Sequence, residues 1–352
     1  MKFLIIGAGS IGKRHAKNIL SLGHQVTICD PKENILKDSQ LTNKINFYKD
    51  YKQALKDNEY DNAVIASPSN LHITHAIDIA HYKINIFMEK PLSHNLEKTK
   101  ELDGLIKKNK LIFMMAQSYR FHEGFLEIKK LIDDGVLGKI YNVEMFGGLF
   151  LPDWHYKEDY RNEYAANKNL GGGVLLTSLS HSVDTIRWLF DEIIHFYGWK
   201  TKLSDLDIDV EDFTSCLFLT KKNIVVNVIE DFLSRFPKNQ IRIHGSNGYL
   251  ESDFIKNQIK VWTTLDRRFV PNLNSTNNNY YKVLEDGIAY NPETEVINYK
   301  FEPNKRYYDE IKFFIQNVKS NNYDIRPNFD DGIKVLKILC DNQIKNLNND
   351  KT

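Results

Sequence analysis

Lys2-Phe3-Leu4-Ile5-Ile6-Gly7-Ala8-Gly9-Ser10-Ile11-Gly12 opens the chain as an apolar run that breaks into three spaced glycines. The run reads as a buried strand, and the residues from the glycines through Leu20 read as a helix. The spacing has a mechanical sense. Gly7 permits a tight turn out of the strand, Gly9 lets the backbone approach a pyrophosphate, and Gly12 lets the helix pack closely on the sheet. The helix N-terminus, with the amides of Ser10 and Ile11, then faces the negative charge. Alone the motif is a weak sign. Here it follows a strand, opens a helix, and precedes by about 20 residues an acid, Asp30, at the end of a second strand at 26–29. Asp30 can accept both hydroxyls of an adenosine ribose and repels a 2′-phosphate, so NAD is expected ahead of NADP.

The alternation continues outward from this unit. Strands are expected at 45–48, 63–66, 84–88 and 111–116, with helical segments at 51–55, 70–82 and 94–109. Short strands alternating with helices imply a doubly wound parallel sheet, an α/β Rossmann domain over residues 1–120. The strand at 84–88 runs into Glu89-Lys90-Pro91, which delivers a lysine at the carboxyl edge of the sheet. Ligands bind at that edge in open α/β sheets, so Lys90 is a candidate for chemistry.

Residues 121–352 read as a different layer, an α+β domain for substrate binding and oligomerisation. A helix at 123–134 leads to a long strand at 139–150, and further strands are expected at 193–200, 212–220, 223–230, 239–244, 248–252, 258–263 and 295–301. A helix at about 173–190 interrupts the series. Two more close the chain, one carrying Ile311, Phe314, Ile315 and Val318 at helical spacing and one at 330–346, both expected to pack back near the first domain. The result is a large, mostly antiparallel open sheet with helices on one face. Its other face needs cover, which predicts a homodimer or homotetramer through the sheet. Residues 266–292, rich in Asn and Tyr, read as a loop insertion.

Composition bounds the function. The 352 residues are 42% hydrophobic and 26% charged with a net charge of +1, which gives no basic footprint for nucleic acid. No apolar stretch approaches the roughly 20 residues of a membrane helix, and Phe3–Ile6 run into a glycine turn rather than a signal-peptide cleavage site. Cys29, Cys216 and Cys340 have no metal-ligand or disulfide spacing and read as buried thiols in a reducing, cytoplasmic compartment. No metal site is expected.

These residues carry a resemblance. The chain is similar to the Gfo/Idh/MocA oxidoreductases, NAD(P)-dependent sugar and cyclitol dehydrogenases, over nearly its whole length. The resemblance rests on the glycine fingerprint at 7–12, Ser67-Pro68-Ser69-Asn70-Leu71-His72, Glu89-Lys90-Pro91, Tyr119-Arg120-Phe121, Gly135-Val136-Leu137-Gly138, and the segment from Gly171-Gly172-Gly173 through His181 to Asp184.

The resemblance implies that Lys90 and His181 flank the substrate hydroxyl as the catalytic pair. It implies that Ser67, Pro68, His72 and Glu89 join Gly7, Gly9, Ser10, Ile11, Gly12, Asp30 and Lys90 around the cofactor. An aspartate four residues before the histidine is usual in the family, and here that position is Thr177. In a regular helix Thr177, His181 and Asp184 share one face. Thr177 can bond a sugar hydroxyl but cannot act as a base. Arg120 and Asp184 are further substrate candidates, with Trp154 and Tyr160 as a sugar-stacking wall. The segment 151–164 resembles family members of bacterial surface-glycan pathways and suggests a sugar or nucleotide-sugar substrate. The implied activity is an NAD-dependent oxidoreductase acting on a ring CH–OH. Two alternatives stay open: a catalytically idle NAD- or sugar-binding sensor, and an imine or enone reductase on the same scaffold.

Overall fold

The computed structural model describes residues 1–36, 41, 45–154, 158–263, 282–283, 289–290 and 295–347. The first unit is a six-stranded parallel sheet of β1 (Lys2–Ile6), β2 (Gln25–Cys29), β3 (Asn46–Tyr48), β4 (Asn62–Ile65), β5 (Asn85–Met88) and β6 (Phe113–Met115) in the order β3-β2-β1-β4-β5-β6. The order reverses beside β1, so a crevice opens between the β1 and β4 ends. Strand periodicity divides the core. Leu4, Ile6, Ile65 and Met88 face α2 (Tyr51–Asp57), α3 (His72–His81) and α4 (Thr99–Asn109), while Phe3, Ile5, Val64 and Phe87 face α1 (Ser10–Ser21).

The second unit is built on α5 (Glu123–Asp133), α6 (Ser180–Phe190) and a nine-stranded sheet. Its strands are β7 (Ile140–Gly148), β8 (Ile193–Thr201), β9 (Phe213–Thr220), β10 (Val225–Asp231), β11 (Lys238–Gly245), β12 (Gly248–Asp253), β13 (Gln258–Thr263), β16 (Glu295–Asn298) and β17 (Ile344–Asn346). β14 (Lys282–Val283) and β15 (Ala289–Tyr290) form a separate two-stranded ladder. The large sheet is mixed, because β10 pairs with β7 and β17 with β8 in parallel. Helices α5 and α6 cover one face. The other exposes Tyr197, Trp199 and Leu217.

The closing helices tie the units together. α7 (Lys305–Lys319) inserts Ile311, Phe314 and Ile315 against Phe3, Ile5 and Phe87 and completes the core of the first sheet. α8 (Phe329–Leu339) gives Phe329 and Leu336 to the first unit and Val335 and Ile338 to the second.

Several expectations need correction. The helix expected from 94 starts at Thr99, with Lys98 before it in a left-handed conformation (φ 56°). The helix expected over 330–346 stops at Leu339, and residues 344–346 instead add a strand to the sheet edge beside β8. The strand expected over 295–301 ends at Asn298. Cys340, expected to be buried, caps α8 at the surface and is exposed, whereas Cys29 and Cys216 are buried. The insertion expected at 266–292 lies almost wholly outside the described residues. The helix expected over 173–190 is not uniform, because Leu175–Leu179 forms a π-helical turn ahead of α6.

Candidate active site

The cofactor end forms around the first glycines. Gly7 has φ +101°, and a Cβ there would lie 2.5 Å from Ala66 O and 2.8 Å from Ser67 N, which brings the Ser67-Pro68 turn against the fingerprint. A Cβ at Gly12 would lie 2.0 Å from Gly7 O, so the first turn of α1 must pack without a side chain. Gly9 differs: nothing lies within 4 Å of where its Cβ would be. Packing does not need a glycine there. A ligand approaching the backbone does. Gly9 also caps α1 without a side-chain bond, so the amides of the first turn are left for an anion. Asp30 stands at the rim, accepting from Ala8 N at 2.8 Å and Lys32 N at 2.9 Å. An open glycine, free amides and a fixed carboxylate fit NAD.

His72 has no ring nitrogen left over for a cofactor. It is 1% exposed, and its ring nitrogens lie 2.8 Å from Pro91 O and 2.8 Å from Ser67 O. It is a strut between the loops that follow β4 and β5. Glu89 is likewise tied down, with its carboxylate 2.7 Å from Nε2 of His15 on α1. Burial pushes the Glu89 carboxyl up, but the His15 bond and the neighbouring positive charge hold it below its ordinary value.

Lys90 leaves the end of β5 and donates from Nζ to Thr177 O at 2.8 Å. Burial brings its pKa down to about 8; Arg306 adds to that fall, while Glu89 and Glu230 oppose it. Thr177 therefore meets Lys90 through its carbonyl. Its hydroxyl turns back to Gly173 O at 2.7 Å, and the residue is 3% exposed, so the expected sugar contact through the Thr177 hydroxyl is not made. A threonine hydroxyl commonly bonds the carbonyl four residues back in a helix, and the π turn at Leu175–Leu179 also departs from the regular helix in which 177 and 181 would share a face.

His181 lies one residue into α6. Its ring stacks on Tyr119 (centroids 4.5 Å, 16°), Tyr119 on Phe125 (4.8 Å, 21°) and Phe125 on Phe254 (4.2 Å, 24°). Its Nδ1 is buried with no partner among the described residues. Burial, with the charges of Lys90 and Arg306, holds the imidazole pKa well below 6.5, so the ring is neutral and able to take a proton.

Sequence reasoning missed Glu230, Tyr119's stacking role and Arg306. Glu230 sits at the C-terminal end of β10, where Ser182 Oγ donates to it at 2.5 Å. A Cβ at Gly147 on the adjoining strand would lie 2.1 Å from its Oε2, so that glycine makes room for the carboxyl. Burial and Asp231 raise its pKa to about 7, against the opposing effects of Ser182 and Lys90. A signal was present: Val226, Val228 and Glu230 share the inward side of one strand, and an acid in that series breaks the apolar pattern. Arg306, in the first turn of α7, had no sequence signal beyond its place beside Tyr307.

Two further expectations fail. Arg120 donates to Asp184 from Nε at 2.9 Å and from Nη2 at 2.7 Å, and both are enclosed, so each satisfies the other rather than a substrate. Trp154 and Tyr160 pack into a small cluster with Leu151, Ala165 and Phe232 instead of forming a stacking wall. Trp154 lies edge-on to Phe232, and the Tyr160 hydroxyl accepts from Asp207 N at 3.1 Å. Among the described residues no group of three His, Cys, Asp or Glu side chains is placed to hold a metal ion.

Comparison with known proteins agrees with this fold. Residues 1–117 match the model of an oxidoreductase family with an NAD-binding Rossmann fold, and residues 125–251 match a GFO/IDH/MocA C-terminal domain. The chain is 25% identical over 330 residues to a myo-inositol 2-dehydrogenase of Thermotoga maritima, covering 91% of this chain and 89% of that one. It is 27% identical over 195 residues to the scyllo-inositol 2-dehydrogenase (NAD(+)) of Bacillus subtilis, covering 53% and 52%. In fold it is similar to a levoglucosan dehydrogenase in complex with NADH (TM-score 0.80, 18% identity, 96% and 95% of the chains). It is also similar to the WlbA dehydrogenase from Bordetella pertussis in complex with NADH and UDP-GlcNAcA (TM-score 0.73, 20% identity, 96% and 94%).

Proposed function

The chain belongs to the Gfo/Idh/MocA oxidoreductase family, and from that premise we propose that it is an NAD-dependent dehydrogenase acting on a ring CH–OH of a sugar or nucleotide sugar. One observation carries the reading. A lysine whose pKa is lowered to about 8 and a histidine held neutral converge where β5 meets the π turn, at the carboxyl edge of an NAD-binding sheet.

NAD, when bound, supplies the acceptor for a hydride. Gly9, the first-turn amides of α1 and Asp30 would hold it. In the oxidation direction, neutral His181 takes the hydroxyl proton of the substrate. Protonated Lys90, aimed by the Thr177 carbonyl, stabilises the developing alkoxide. The Tyr119–Phe125–Phe254 stack fixes the imidazole plane and excludes water from one side of it. In the reverse direction the same groups return the proton.

The finer parts of the reading are a nucleotide-sugar substrate in surface-glycan biosynthesis, a cytoplasmic location, and a homo-oligomer through the open sheet face. An apolar strip of Tyr197, Trp199 and Leu217 supports the last. No helix among the described residues is long and apolar enough to cross a membrane. The test is NADH formation from NAD with a panel of myo-inositol, D-glucose, UDP-GlcNAc and UDP-glucuronate. Turnover by wild type, lost in Lys90→Met and His181→Asn, is expected. Turnover that survives both substitutions, or NAD binding without turnover of any panel member, overturns the proposal.

A further inference from the structure

Arg306 is the cation of the cleft whose role the reaction leaves open. Its Nε is buried with no hydrogen-bond partner, its Nη2 donates to the Tyr307 hydroxyl at 2.9 Å, and it forms no ion pair among the described residues. The other enclosed arginines behave differently. Arg120 is matched to Asp184, and Arg187 to Glu192 and Asp331.

Arg306 also stands at the reacting end. Its guanidinium carbon is 5.8 Å from the centre of the Tyr119 ring, the ring on which His181 stacks, and its charge acts on both Lys90 and His181. Tyr307 has Arg14, from the first helix of the cofactor cradle, 4.4 Å from its ring centre and Arg306 at 4.8 Å. Of the two acids along the same helix, Asp309 is paired with Lys305, and Glu310 is a poor match for the charge. It is fully buried, and burial raises its pKa well above the ordinary value, which weakens the carboxylate form, against the opposing effects of the Gln117 backbone and of Arg306 itself. His122, also under the influence of Arg306, is held neutral near pKa 4, mainly by burial. Lys90 adds a second positive charge. A half-buried guanidinium whose Nε is buried without a bond and which has no ion pair among the described residues is a poor structural element and a good fork for a carboxylate.

We propose that Arg306 is the subsite for a carboxylate carried on the sugar ring, so that the substrate class is an acidic sugar rather than a neutral sugar or cyclitol. This deepens the dehydrogenase reading and rests on it for the identity of the cleft. The test therefore measures binding, not turnover. Affinities are taken by calorimetry in the presence of NADH for two matched pairs, D-glucose with D-glucuronate and UDP-glucose with UDP-glucuronate. Wild type should favour the acidic member of at least one pair by about 10- to 100-fold, the scale of a charged hydrogen bond. Arg306→Gln should abolish that preference and Arg306→Lys should keep part of it, while the affinity for NADH itself stays within about twofold.

No preference for either acidic member in wild type overturns the proposal. So does a preference that survives Arg306→Gln. A loss of NADH affinity in Arg306→Gln with the uronate preference intact reassigns the arginine to a cofactor phosphate. If Arg306→Gln unfolds, Arg306→Lys carries the test, and an undiminished uronate preference there overturns the fork geometry. Uronate binding without any turnover sinks the dehydrogenase reading and leaves the subsite standing.

Discussion

On the Rossmann wall of the cleft, Gly9, Asp30 and Lys90 each stand at a strand end, within a few residues of the turn that aims them. On the opposite wall, His181 and Glu230 are aimed by partners distant in sequence, Tyr119 beneath the imidazole and Ser182 on the carboxyl, while Arg306 arrives on a helix late in the chain that packs on the first sheet. Local backbone geometry sets the first wall, so it should tolerate side-chain replacement with loss of chemistry alone. Packing between the two units sets the second, so replacements there should cost stability as well.

The sharpest test of that difference is Asp184→Asn. It leaves the Arg120 guanidinium enclosed between α6 and the loop after β6 without its charge partner. Breaking a buried pair from one side costs about 3–5 kcal/mol. Urea unfolding should show a loss of that order, and an effect under about 1 kcal/mol would mean that the pair is no part of the joint between the walls.

Lys90→Met tests the first wall. Turnover should fall at least about 100-fold, the lower range for a positioned proton-transfer group, while NADH affinity stays unchanged and the melting temperature moves by a few degrees at most. A variant that fails to fold would place Lys90 among the packing residues and erase the contrast. Asp30→Ser, on the same wall, should act on binding alone. It should narrow the preference for NADH over NADPH by about 1–3 kcal/mol, measured as the ratio of dissociation constants, with no change in unfolding.

The same contrast explains what was legible in the sequence. The alternation of strands and helices, the glycine fingerprint and the lysine after β5 are local patterns, and each stands where its pattern implies. The reading of 173–190 as one helix missed the π turn at Leu175–Leu179, which no periodicity records; the Thr177 carbonyl within it accepts from Lys90. Arg120, Asp184, Trp154 and Tyr160 were sound as residue types for a sugar site but spend their polar groups or faces on internal partners. Arg306 reaches the cleft only because α7 folds back onto the first sheet, so its role is a property of topology.

The smallest effect is the most discriminating, and it concerns the pH profile of oxidation. Turnover needs His181 neutral and Lys90 protonated. His181 is held well below 6.5, so the acidic limb lies below that value, and Lys90 titrates at about 8, so activity falls again as pH rises through that value. Glu230, with a pKa of about 7, is ionised by then and supports the charged lysine. Glu230→Gln removes that support, so the alkaline limb should move to lower pH, with the acidic limb barely displaced. Arg306→Gln removes a cation that opposes protonation of both groups, so both limbs should move to higher pH. Opposite displacements of the alkaline limb in the two variants, read from initial rates between about pH 5 and 9.5, would fix both residues beside Lys90. If Glu230→Gln leaves the alkaline limb unmoved, the carboxyl serves only to bond Ser182, and the second wall reaches the chemistry through His181 and Arg306 without it.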